Sequence, residues 1–219
     1  MSEKLISPIT LFNFEVPCLY HEPLWSPHGP IELPETHRML SFGELADGPV
    51  FGDLRIGWCE TGLSLSLRVQ GKKQLPWCRG SRLEDSDGLW LFVDTRNTRS
   101  IHRASRFCHH FAFLPQGTGA KMDQPIAELV AINRAKEGPK PIPKGMLQVR
   151  SEKRVDGYLL RAAIPAQAMT GFDTSEHTQL GFSYAIVDRE LGWQTFSVGS
   201  ELPFTSDPSL WGTLSLISD

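Results

Sequence analysis

The chain reads as an all-β protein: an antiparallel β-sandwich with one short covering helix. Three observations carry that reading. Short runs alternate apolar and polar residues with period two, turn-forming Gly, Asp and Pro separate the runs, and no strand–helix alternation appears. At 219 residues the chain is long enough for one good core, and residues 1–219 are taken as a single domain.

The clearest hairpin covers residues 53–69. Leu54, Ile56 and Trp58 alternate with Arg55 and Gly57, and Glu60, Thr61 and Gly62 turn the chain. Leu63, Leu65, Leu67 and Val69 then alternate with Ser64, Ser66 and Arg68. Period two over both arms gives one apolar and one polar face. A second hairpin covers 147–164, with Asp156-Gly157 as its turn. Tyr158, Leu160, Ala162 and Ile164 take one face; Leu159, Arg161 and Ala163 take the other.

Residues 77–113 form the central stretch. The apolar block 89–93, bounded by Gly88 and Asp94, is too short for a helix and reads as a strand. Both of its faces are apolar, which places one in the core and one on a second covered or concave surface. A basic loop with Arg96, Arg99, Arg103 and Arg106 follows. The next strand puts Phe107, His109, Phe111 and Phe113 on a core face, and Arg106, Cys108 and His110 on a mixed polar face outside the core.

Residues 1–50 are rich in proline and read as an extended packing segment. A first strand is expected over 11–16, with Trp25, Phe42 and Leu45 tucked against the sandwich. Residues 115–145 look like an insertion. Within it Ile126, Leu129, Val130 and Asn133 fall at helical spacing and Gly138-Pro139 stops the run, so the spacing predicts one short helix over 123–138. Residues 180–188 read as a further strand, and residues 207–216 as a turn entering a last one.

The net charge of -3 gives no pull towards nucleic acid or an anionic membrane. No apolar run approaches the ~18 residues of a membrane span. The first eight residues lack an uninterrupted apolar run and a small-residue cleavage site, so they do not read as a signal peptide, and a cytoplasmic location is expected. In that setting Cys18, Cys59, Cys78 and Cys108 are expected to be free thiols.

The ordered set of segments resembles the family-9 carbohydrate-binding modules and the wider DOMON-like sandwich group. Four features carry the resemblance: the hairpin 54–69 followed by a loop with Trp77; Asp87 and the strand ending at Asp94; residues 157–165 with Leu180, Gly181, Phe182 and Asp188 after them; and the terminal Asp207-Pro208-Ser209 with Trp211-Gly212-Thr213. The resemblance covers residues 35–219. It implies a jelly-roll or immunoglobulin-like sandwich that binds a sugar ring between two tryptophans, with polar side chains on a concave sheet holding the hydroxyls. Trp77 matches the first clamp. Phe204 is the aromatic nearest to the second. A glutamate of the family aligns with Trp90, and an arginine with Arg106 or His110. Losing the glutamate leaves a donor-rich floor, which suits a small acidic sugar or another small anion. The family also carries structural calcium, for which this sequence identifies no ligands, and no other cofactor is expected.

His102, Cys108, His109 and His110 invite a zinc reading, but adjacent strand residues point to opposite faces. No nucleophile–base signature or phosphate loop appears, and Asp85 and Asp87 have no partner carboxylate at glycosidase separation, so no enzymatic activity is expected. Two other readings stand beside sugar binding. One is an interaction or structural protein that keeps the sandwich without a sugar site. The other is a haem-binding DOMON-like carrier, which needs an axial His or Met pair facing one pocket.

Overall fold

The two hairpins form where their alternation places them, and the other strands assemble around them. The computed structural model describes residues 8–218; residues 1–7, on which the reading of the amino terminus rests, and residue 219 lie outside the described residues. Thirteen strands run in chain order: β1 (Glu15–Tyr20), β2 (Trp25–Ser26), β3 (Gly29–Pro30), β4 (Gly52–Cys59), β5 (Gly62–Val69), β6 (Gly88–Asp94), β7 (Cys108–Thr118), β8 (Gln124–Val130), β9 (Gln148–Arg154), β10 (Gly157–Pro165), β11 (Gln179–Asp188), β12 (Gly192–Thr195) and β13 (Gly212–Ile217). Helical structure among the described residues is limited to short 3-10 turns, the longest of five residues. No described helix is long and apolar enough to cross a membrane.

Eleven strands make one sheet, in the order β8-β7-β6-β11-β13-β1-β4-β5-β10-β9, with β12 added to β11. Its pairings are antiparallel except those of β1, which runs parallel to both β13 and β4. The two layers expected of a sandwich are therefore halves of one hydrogen-bonded sheet, joined through β1. The sheet curls so that its ends, β8 and β9, approach each other. Leu89, Leu91 and Val93 of β6 and Phe111 and Phe113 of β7 share one buried cluster with Leu65 and Leu67 of β5 and Tyr158 and Leu160 of β10. Period two supplies that cluster, because each strand turns alternate side chains inward.

Strand β6 is buried on both faces. Its outer side chains, Trp90 and Phe92, join Cys108 and Ala112 of β7 and Ala185 and Val187 of β11 in a second cluster, roofed by Val198, Phe204 and Trp211. The expectation that Cys108 and His110 lie outside the core is thereby corrected: Cys108 is fully buried and the His110 ring is stacked on Phe92. Phe107, expected in the core, is only half-buried. The reason is long range, because the roof comes from a segment about a hundred residues further along the chain.

The expected helix is strand β8. Its Ala127 pairs with Phe113 and its Leu129 with Phe111, and both pack on the main core. A run of seven residues satisfies helical and strand spacing alike, and pairing with the exposed edge of β7 decides between them. Two further corrections fall in the first fifty residues. The first strand starts at Glu15, after a 3-10 turn over Pro8–Leu11. Leu45 is 74% exposed, whereas Phe42 does stack on Phe14 with centroids 4.0 Å apart.

Phe111 has no solvent exposure and shares the main cluster with residues of both hairpins. Phe111→Ala should destabilise the protein by about 3–5 kcal/mol in a denaturant melt. A change below ~1 kcal/mol would contradict this packing.

Candidate functional site

The loop between β5 and β6 is fixed by charges that the sheet buries. Asp87, the residue before β6, is 1% exposed. Its carboxylate accepts hydrogen bonds from the backbone N–H of Trp77 at 3.0 Å and of Arg189 at 2.8 Å, and its own N–H donates to the Trp77 carbonyl at 2.9 Å. The Lys72 ammonium lies 3.2 Å from Asp87 and 2.5 Å from Asp188, with Glu190 at 3.8 Å. Glu190 in turn accepts from the N–H groups of Lys73 and Gln74, each at 3.0 Å. Burial alone would lower the Lys72 ammonium, but Asp188 and Asp87 hold it above its ordinary value. Burial pushes the Asp87 carboxyl up.

This lattice sets Trp77 at the mouth of a cavity of about 280 Å³ formed with Gln74, Leu75, Arg189 and Glu190. The Trp77 ring is half-buried. The guanidinium carbons of Arg189 and Arg79 lie 4.9 and 5.1 Å from its centroid, within cation–π range. The site thus presents an indole ring with cationic donors lying over it, which places an aromatic surface and anion-pairing groups together.

The other expected site residues lie elsewhere. Trp90, His110 and Phe204 come together around Phe92, and of these Trp90 and Phe204 belong to the second cluster. Phe92 stacks on His110 at 4.4 Å and meets Phe204 edge-on at 5.7 Å, while Trp90 lies 5.7 Å from His110. Phe204 is fully buried, and its carbonyl accepts the Trp211 indole N–H at 2.7 Å. It therefore presents no wall to solvent, which corrects the expected pairing with Trp77. Arg106 is exposed and lies over the Phe107 ring, 5.0 Å from its centroid. The sequence reading missed Arg189 and Arg79 as neighbours of Trp77. Arg79 is visible as the second residue after Trp77, but nothing in the local pattern links position 189 to position 77.

His109 and His110 point to opposite faces, and among the described residues no group of three or more His, Cys, Asp or Glu side chains could hold a metal ion. The residues present do not fit a calcium ion at the carboxylate cluster, because the Lys72 ammonium already sits between Asp87 and Asp188. Neither histidine nor methionine lines the Trp77 cavity, so it lacks the axial pair that haem needs. A Ser–His–Asp contact exists among the described residues: Ser209 and Asp207 lie 3.0 and 3.1 Å from the His102 ring. Both meet the same nitrogen, Nδ1, and the serine hydroxyl donates to the aspartate at 2.6 Å. A nucleophile–base relay needs the hydroxyl and the carboxylate on different ring nitrogens. All four cysteines are free.

No protein-family model matches the sequence, and no curated protein matches it. Solved structures do match. A family-9 carbohydrate-binding module from Caldicellulosiruptor kristjanssonii in complex with cellotriose superposes with a TM-score of 0.63 at 13% identity, covering 94% of this chain and 95% of that one. The fold is that of a family-9 carbohydrate-binding module. The same organism's module in complex with glucose gives a TM-score of 0.61 at 13% identity, over 94% and 97% of the two chains. A Bacteroides uniformis protein provisionally described as carbohydrate-binding gives 0.55 at 14% identity, over 94% and 100%. Within this fold, Trp77 and Arg189 line one cavity together.

Lys72→Met leaves Asp87 and Asp188 buried without a counter-charge and should cost about 3–5 kcal/mol in a denaturant melt; an unchanged midpoint would show the lattice to be dispensable. Burial lowers both His109 and His110 to about 4. The His109 Nε2 also accepts the Thr170 N–H at 2.8 Å, which a protonated ring could not do. The unfolded chain takes up these protons near pH 6.5 and the folded chain only near pH 4, so stability falls as pH drops through that window. Between pH 7 and pH 5 the loss should be about 2 kcal/mol per imidazole. The melt of His110→Phe should show roughly half of the wild-type pH dependence.

Proposed function

We propose that the chain is a non-catalytic carbohydrate-binding module that holds a small polar sugar, with acidic sugars favoured, against Trp77. The observation that carries this reading is the half-buried Trp77 ring beside a cavity, with the guanidiniums of Arg79 and Arg189 lying over it. The similar structures that hold cellotriose and glucose support the sugar class. In this reading the indole stacks on the C–H face of the sugar ring, and one guanidinium swings aside to pair with its acid group. Arg189 and Arg79 take the donor role expected of Arg106 and His110. The Lys72–Asp87 lattice keeps Trp77 in place while the ligand comes and goes. Affinity should be modest, because a shallow site makes few hydrogen bonds.

A second reading draws on the filled cluster around Phe92. Trp90, His110 and Phe204 bury the sheet face on which the resemblance places the sugar, which suits a protein that keeps the fold as an interaction scaffold.

Calorimetric titration with glucuronate and glucose separates the two. Wild type should bind glucuronate more tightly than glucose, and Trp77→Ala should weaken glucuronate by about tenfold or more, ~1.4 kcal/mol. Arg189→Gln should erase the preference for the acid. If wild type binds neither sugar, or if Trp77→Ala binds as wild type does, the scaffold reading stands.

A further inference from the structure

The cations of this chain are not spread evenly. Residues 95–107 and 131–145 hold eight of its 22 Lys and Arg but only one of its 25 Asp and Glu, Glu137. A chain of net charge -3 therefore carries one strongly basic region against an acidic remainder. The two segments are separate in sequence and adjoin in the fold. Arg103 Nε donates to the Arg134 carbonyl at 2.9 Å, and the Lys136 N–H donates to the Ala104 carbonyl at 2.8 Å. Thr170 ties in both: its carbonyl accepts from the Thr95 hydroxyl at 2.8 Å, and its hydroxyl accepts from the Lys140 N–H at 3.1 Å.

Pairing sets this region apart as well. Arg38, Arg55, Arg68, Arg82, Arg154 and Arg161 each bind a carboxylate. None of the eight cations of the basic region forms a salt bridge among the described residues. At its centre Arg96 and Arg106 share one ring. Their guanidinium carbons lie 4.9 and 5.0 Å from the Phe107 centroid, so they are at most about 10 Å apart. Gly171 lies against the same ring, and a Cβ there would come within 2.8 Å of it. Asp94 is 1% exposed, and its carboxylate accepts the backbone N–H groups of Arg96 and Thr98 at 3.0 and 2.6 Å. Arg96 Nη1 is buried without an acceptor among the described residues. Two like charges held this close, with no salt bridge from within the protein, favour an anion from outside.

The kind of anion follows from what surrounds the cations. Arg99, Arg103, Arg106, Lys136, Lys140 and Lys144 are exposed. No large apolar side chain of either segment is exposed, so a folded protein partner finds no apolar centre to bury. Phe107 is the one Phe, Tyr or Trp of the two segments, and two guanidiniums lie over it, which leaves no free ring to stack on the bases of a single-stranded nucleic acid. A duplex or a membrane would also bring a wide anionic surface against the acidic remainder of the chain, which repels it. A slender chain follows the cations and avoids that remainder. A disordered acidic peptide is slender too, but it loses backbone entropy for every residue it orders. A chain of pyranose rings is stiffer, and the planar guanidinium fork matches its sulfate or carboxylate groups.

We propose that this region is a docking surface for an acidic polysaccharide, with Arg96 and Arg106 gripping its acid groups. It lies at the opposite end of β6 from Trp77. Asp87 precedes that strand and Thr95 follows it, and seven residues at about 3.3 Å each separate the two ends by roughly 20 Å. The surface is independent of the sugar site proposed at Trp77.

The test measures binding of labelled dextran sulfate between about 50 and 200 mM salt, with neutral dextran, polyglutamate and oligothymidylate as alternative ligands. Wild type should bind dextran sulfate and not dextran, and its affinity should fall as salt rises, because bound counterions are released. Arg96→Gln/Arg106→Gln should weaken dextran sulfate by about tenfold or more and flatten the salt dependence. Arg106→Gln/Lys140→Gln alters two exposed side chains, so it should melt as wild type does and still weaken binding several-fold. Arg82→Gln/Arg154→Gln makes the same change in net charge at arginines that are already paired, and should bind as wild type does. The proposal is overturned if wild type does not bind dextran sulfate, or if the Arg96 variant binds it as wild type does. It is overturned equally if the Arg82 variant weakens binding as much as the Arg96 variant, or if polyglutamate or oligothymidylate binds as tightly as dextran sulfate.

Discussion

The ammonium of Lys72, enclosed between Asp87 and Asp188, is the contact on which the arrangement of the site depends. It joins three pieces of chain that are far apart in sequence: the exit from β5, the entry to β6 and the end of β11. Each carboxylate then has further work. Asp87 receives the N–H groups of Trp77 and Arg189, and Asp188 receives those of Glu190 and Leu191 at 2.9 and 3.0 Å. Buried charges are costly unless they are paired and their remaining lone pairs are satisfied. Here the satisfying groups are the backbone of the residues that flank the cavity. The electrostatic requirement of the core and the geometry of the Trp77 cavity are thus met by the same hydrogen bonds.

A second constraint acts on the opposite side of β6. A strand with two apolar faces must be covered twice. The main cluster covers one face, and the segment carrying Phe204 and Trp211 covers the other. That cover consumes Trp90, His110 and Phe204, which the family resemblance would otherwise place around a ligand. Trp77, on a loop at the end of the sheet, faces a cavity with charged neighbours. Loops held by a rigid sheet are common places for binding groups, because the loop can vary while the sheet fixes its ends.

Much of the fold could be read before any coordinates. Both hairpins, β6, β11 and β13 appear where period two and turn residues put them, because alternation depends only on the chain's own geometry. The misses share one cause. Residues 124–130 fit two periods, and only the free edge of β7 chose the strand. Cys108 and His110 looked external because their roof arrives from Ile132 and from the chain around Phe204. No local pattern carries that information.

The site divides in the same way. Sequence alone identified Trp77 as the aromatic of interest, and it gave the alternation, the turn positions and the family-like order of segments. Tertiary structure alone decided that Phe204 is core, that Arg106 lies on Phe107 away from the cavity, and that Arg189 flanks Trp77. The physical reason is range. Strand geometry repeats every two residues and is written locally, whereas burial, charge pairing and cavity shape depend on which distant segments the curled sheet brings together.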